Sequence, residues 1–175
     1  MTGIPARVCQ SRHMAPELEP VLESARNGDV AAVRRALDAG LPVDAANHKG
    51  MTPLIVASTA GHIAVVELLL ERGADVEKAN EGGRTPLASA AFGGHVDIIR
   101  LLAKHGAKLN YVDASGRTAL MYAAMFNQPE SAWALVDTGA AIEAQDPGGR
   151  TAAQLARAVG SFRVAEVLES AQSPS

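Results

Sequence analysis

The side chains that most readily do chemistry are sparse in this chain, and their spacing works against them. His62 and His95 could ligate a metal or move a proton, but they stand 33 residues apart. If that spacing is one unit of a stacked repeat, the two lie roughly 8–10 Å apart. A shared metal needs each donor at about 2 Å, so both read as residues at helix starts. His105 precedes Gly106 at a helix C-terminus, where a cation suits the dipole, and His48 reads as a solvated loop residue. Cys9 is the only cysteine, which leaves no internal disulfide or thiolate cluster. It reads as an ordinary free thiol. The serines form no Gly-x-Ser-x-Gly elbow. Gly82-Gly83-Arg84 and Gly148-Gly149-Arg150 lack the Lys-Ser/Thr ending and strand–loop–helix setting of a phosphate loop, so they read as turns. No catalytic residue, cofactor or metal site is expected, and the chain reads as a non-enzyme.

The composition narrows the elements that remain. Apolar residues make up 47% of the chain and charged residues 20%, enough for a continuous core with a soluble surface. Aromatic residues are only 3%, which suits thin layers of closely packed helices better than a thick core filled with rings. The net charge of −3 comes from interspersed signs, unlike the concentrated positive face that nucleic acid requires or a polybasic membrane anchor. Met1 to Ala15 holds no apolar run of signal-peptide length. No stretch approaches the roughly 20 apolar residues of a membrane span. A cytoplasmic location is expected.

Internal spacing decides the architecture. Thr52, Thr85, Thr118 and Thr151 recur every 33 residues, and so do Gly50, Gly83, Gly116 and Gly149. Gly40, Gly73, Gly106 and Gly139 keep the same step, as do Ala57, Ala90, Ala123 and Ala156. A fifth series runs Gly28, Gly61, Gly94, Asn127, Gly160. One fixed period of this length marks a stack of repeats. Thr52-Pro53 and Thr85-Pro86 read as helix starts, with a capping hydroxyl and Pro at the first helical position. Gly61 and Gly94 end that helix in the left-handed region, which Asn127 tolerates better than other non-Gly residues. A second helix follows, as over Ile63 to Arg72, and Gly73 closes it. The segment Ala74 to Gly83 is too short for another helix and reads as an extended finger.

These residues resemble the ankyrin repeat. Gly83-Arg84-Thr85-Pro86-Leu87, Ala90-Ala91, Gly94-His95, Leu101-Leu102 and Gly106-Ala107 follow its pattern in order, and Gly50-Met51-Thr52-Pro53-Leu54 through Gly73-Ala74 repeats it. The resemblance spans about Pro16 to Ala171 and implies an all-α repeat solenoid of helix-turn-helix units with finger loops, about five including both caps. The expected division is a flexible tail over 1–15, a cap over 16–46, repeats over 47–79, 80–112 and 113–145, a cap over 146–171 and a tail over 172–175. Met14 is a candidate native start. Glu23 and Glu169 stand where interior repeats carry Val56 or Leu70, as solvent-facing caps require. Two departures matter. The His that usually follows Thr-Pro-Leu is replaced by Ile55, Ala88, Met121 and Gln154, so its hydrogen bonds should be missing. Pro129, Ser131 and Ala132 replace an apolar helix start, which predicts a second helix that begins late or packs loosely.

The resemblance also implies where a partner protein sits, on the concave side built from fingers and first helices. Carried over position by position, the contacts are Met51, Arg84 and Arg117 in the fingers, Phe92, Met125 and Phe126 on the helices, and Tyr111 and Val112 between units. Five of the six aromatic residues fall between Phe92 and Trp133, and aromatic and Arg side chains dominate interface energetics. One reading is an apolar patch of Phe92, Tyr111, Met125 and Phe126 flanked by Arg84 and Arg117. The other folds those side chains back over the thin core. Tyr122, at a core-type position, reads as packing. Trp133 reads either as a self-association surface or as cover for the gap beside Ser131 and Ala132. The expected function is therefore non-catalytic binding of another protein, the chain itself monomeric, with no nucleic acid or membrane as partner. The alternative is a regulatory or stabilising subunit, an inhibitor, of one enzyme. Asn110, eight residues after Leu102, also resembles an asparaginyl hydroxylation site of eukaryotic ankyrin repeats.

Overall fold

The computed structural model describes residues 17–172, which form ten helices in five antiparallel pairs. The first helices of the pairs are α1 (Leu18–Asn27), α3 (Pro53–Ala60), α5 (Pro86–Gly93), α7 (Ala119–Met125) and α9 (Ala152–Ala158). The second helices are α2 (Val30–Asp38), α4 (Ile63–Glu71), α6 (Val96–Lys104), α8 (Pro129–Asp137) and α10 (Phe162–Gln172). The expected tail over 1–15, with Cys9 and Met14, lies outside the described residues, as do Pro16 and 173–175.

Each recurring threonine does the work its spacing predicts. The Oγ1 of Thr52 accepts from the Ile55 amide at 3.2 Å, and Thr85, Thr118 and Thr151 accept likewise from Ala88, Met121 and Gln154. Such a cap stabilises a helix by about 1 kcal/mol. The missing His is partly offset at Gln154, whose Oε1 accepts back from the Thr151 amide and completes a capping box. At Ile55 and Met121 the replacement is apolar and fully buried. Asn127, at φ 54°, is the non-glycine left-handed residue among those described and ends its helix as Gly61 and Gly94 end theirs.

The core is a flat layer between the two helix rows. Leu54, Leu87 and Leu120 face inward from the first row, and Leu69, Leu102, Leu135 and Leu168 from the second, all nearly solvent-free. Adjacent first helices pack more closely than adjacent second helices at every junction, which puts the first-helix row on the inner side of the stack. The late start expected for α8 is not found. It begins at Pro129, in register with Ile63 and Val96, because Pro at the first helical position favours initiation. Ser131 and Ala132 are fully buried, and the junctions of α8 are the closest in the second-helix row. Small side chains have let the helices approach rather than leaving a gap.

Candidate functional site

The fingers are built on a further residue series. Asn47, Asn80, Asp113 and Asp146 also recur every 33 residues. In each the side-chain oxygen accepts backbone amides within its own turn, as Asp113 Oδ1 does from Ser115 (2.8 Å) and Arg117 (3.0 Å). The turn closes with Gly50, Gly83, Gly116 or Gly149 in the left-handed region, a geometry that Asn and Asp side chains stabilise. The signal was legible as one more period-33 series of Asn and Asp ahead of Gly. Neighbouring fingers are joined by the Glu81 amide donating to the Lys49 carbonyl (3.1 Å) and the Ala114 amide donating to Gly82 (3.2 Å).

His62 and His95 prove to be struts between units. The Nε2–H of His62 donates to the Arg26 carbonyl at 2.8 Å, that of His95 to Thr59 at 3.1 Å, and Gln128 reaches Phe92 at 3.5 Å in the same register. A Cβ on Gly28 would come within 2.6 Å of the His62 ring, so that glycine serves the strut as well as its own φ of 76°. A parallel set of struts runs from Glu77 to the Lys108 amide (2.8 Å) and from Asn110 to the Ala141 amide (2.7 Å). Asn110 thus already has a bond to the next unit. Among the described residues no group of three or more His, Cys, Asp or Glu side chains comes together.

Against this frame stand the residues expected to meet a partner. Arg84 extends from its finger over the Phe92 ring, 5.3 Å from its centroid, and Phe92 meets Phe126 edge-on at 4.3 Å. Phe92 is half-buried and Phe126 is 45% exposed; neither belongs to the core cluster. Met51 and Met125, by contrast, pack partly against it. Arg84 and Met51 also line a cavity of about 280 Å³ with Arg26, Val56, Thr59 and Ala60. Tyr122 is half-buried and packs against the core, and its hydroxyl donates to Asp113 Oδ2. Burial, with the Asp113 hydrogen bond and charge, pushes the phenol above its ordinary pKa, while Arg84 and Arg117 pull the other way. Tyr111 (half-buried) and Val112 (54% exposed) lie on the segment entering the next finger; they are not part of the stacked Arg84–Phe92–Phe126 set.

Trp133 does not cover a gap. It is 52% exposed and lines an open groove of about 410 Å³ on the second-helix side, with Val96, Pro129 and Val167 between Arg100 and Arg163.

Paired helices stacked in register, joined by hydrogen-bonded fingers, define a helical repeat solenoid. A family model described as ankyrin repeats (3 copies) matches residues 9–80 and 75–146, and the chain belongs to the ankyrin-repeat family. Such repeats are in general protein–protein interaction modules and typically non-catalytic. A comparison with curated proteins finds no match. No helix among the described residues is long and apolar enough to cross a membrane.

Proposed function

We propose that the chain is a non-catalytic binding module that holds a partner protein against its fingers and first helices, using Met51, Arg84, Phe92, Tyr111, Val112, Arg117, Met125 and Phe126. The observation that carries this reading is the Arg84–Phe92–Phe126 stack. Its rings meet each other and a guanidinium at the partly exposed surface, outside the core cluster. Aromatic and Arg anchors of this kind supply most of the energy in protein interfaces. On this reading the chain acts in the cytoplasm as a monomer, and the units over 16–46 and 146–171 cap three internal repeats. The groove at Trp133 is rimmed by the Arg100–Asp137 and Arg163–Glu130 ion pairs, which keep its approach polar.

The test is a double variant, Phe92→Ala with Phe126→Ala, compared with the unaltered chain in quantitative affinity capture from the source cell. Specific capture should be lost, with a stability cost of about 2–3 kcal/mol, the ring-pair contact added to the partial burial of two rings. A cost nearer the roughly 6–10 kcal/mol of two core truncations, or an unchanged set of captured proteins, overturns the reading.

A further inference from the structure

Three arginines occupy one register of the finger, Arg84, Arg117 and Arg150, and their surroundings differ. Arg150 is held by Asp146, four residues earlier in its own turn, at 2.8 Å and 3.1 Å. The residue four before Arg84 is Asn80, so that guanidinium has no carboxylate to take. The residue four before Arg117 is Asp113, but the Tyr122 hydroxyl has claimed its Oδ2 and the turn amides its Oδ1. Two changes of residue type, Asn for Asp at 80 and Tyr for Leu at 122 (Leu155 in the last unit), therefore release two arginines from the pairing seen in the third.

Most arginines among the described residues are paired. Arg26, Arg72, Arg100, Arg150, Arg157 and Arg163 each pair with a carboxylate. Among the other described arginines, Arg34 and Arg35 are exposed on α2, where water solvates them. Arg84 and Arg117 are half-buried, and Arg84 Nε is fully buried with no hydrogen-bond partner. Arg84 and Arg117 hold the same register on neighbouring fingers, which the Ala114 amide joins to the Gly82 carbonyl at 3.2 Å, and Arg84 lies over Phe92 of the Phe92–Phe126 pair.

We infer that this face takes an acidic peptide segment, with a carboxylate side chain between Arg84 and Arg117 and an adjacent aliphatic or aromatic side chain against Phe92 and Phe126. The inference rests on the partner-binding reading above and adds the chemistry of the partner. Arg suits the task because its planar fork binds a carboxylate bidentately while its face lies on an aromatic ring.

The experiment selects random twelve-residue peptides displayed on phage against the full chain, then measures the winners as synthetic fluorescent peptides by polarisation. Asp or Glu next to an apolar residue should be enriched. Two variants then re-create the internal pairing without deleting an arginine. Asn80→Asp places a carboxylate four residues before Arg84, and Tyr122→Phe returns Asp113 to Arg117. Each should weaken binding about tenfold, as Arg84→Ala and Arg117→Ala should, with helical circular dichroism unchanged. Peptides without acidic enrichment that still bind through Phe92 and Phe126 overturn the acidic partner and leave the binding face standing. Acidic peptides indifferent to Asn80→Asp and Tyr122→Phe overturn the inference as well. If no selected peptide responds to Phe92→Ala with Phe126→Ala, the inference and the binding face fail together.

Discussion

Ser89 sits fully buried in α5 with a hydroxyl that has no hydrogen-bond partner, and Ser58 in α3 is the same. Ser89→Ala removes an orphaned polar atom and improves helix propensity, so urea denaturation should show a gain of about 1 kcal/mol. Asp146 provides a pH test. The side-chain bond from Arg150, with the amides of its own turn, holds its carboxyl below the ordinary aspartate range. A carboxyl with a lowered folded pKa contributes stability that is full above its unfolded value and is lost as pH falls through the folded one. Denaturation midpoints should therefore hold from neutral pH to about pH 4 and drop below it, and Asp146→Asn should flatten that drop. At this scale the sequence spoke unevenly. The threonine caps were readable because a hydroxyl before a helix has one dominant use. The freedom of Arg117 was not, because it depends on Tyr122 reaching Asp113 across nine positions.

Between elements, side chains of one unit bond to the backbone of its neighbour. Gln128 makes the longest of the three helix-start struts, at 3.5 Å against 2.8 Å and 3.1 Å for the histidines. Gln128→His should shorten it and raise stability by about 0.5 kcal/mol, since a well-made hydrogen bond is worth about 1 kcal/mol. The matching Gly28→Ala, which meets the His62 ring and forces a left-handed φ on a side chain, should cost at least ~1 kcal/mol; both are read from denaturant midpoints. Helix positions and their glycine ends were legible, as was Asn127 standing in for Gly. The start of α8 departs from the sequence expectation because Ser131 and Ala132 do not behave as lost apolar mass. In a stack, small residues instead allow closer approach of neighbouring helices.

At the scale of the whole chain, each helix pair buries its apolar sides only against its neighbours, so the array is the unit that is stable. The 33-residue step carried that conclusion before any contact was known. What it could not carry was which variable side chains face outward together. Trp133, half in solvent, should be dispensable for stability: Trp133→Ala is expected to cost less than about 1 kcal/mol. Sedimentation velocity across a concentration series should give one unchanged species for both proteins. The chain of finger bonds carries a further consequence. It passes through the amides of Glu81 and Ala114, and the next position in that register is Pro147, which has no N–H to give. The row is a zipper with its last tooth missing. A pulling load applied from the C-terminal side should peel the 146–150 turn away before the others yield, and Pro147→Ala, by restoring the donor, should raise the force at which it parts.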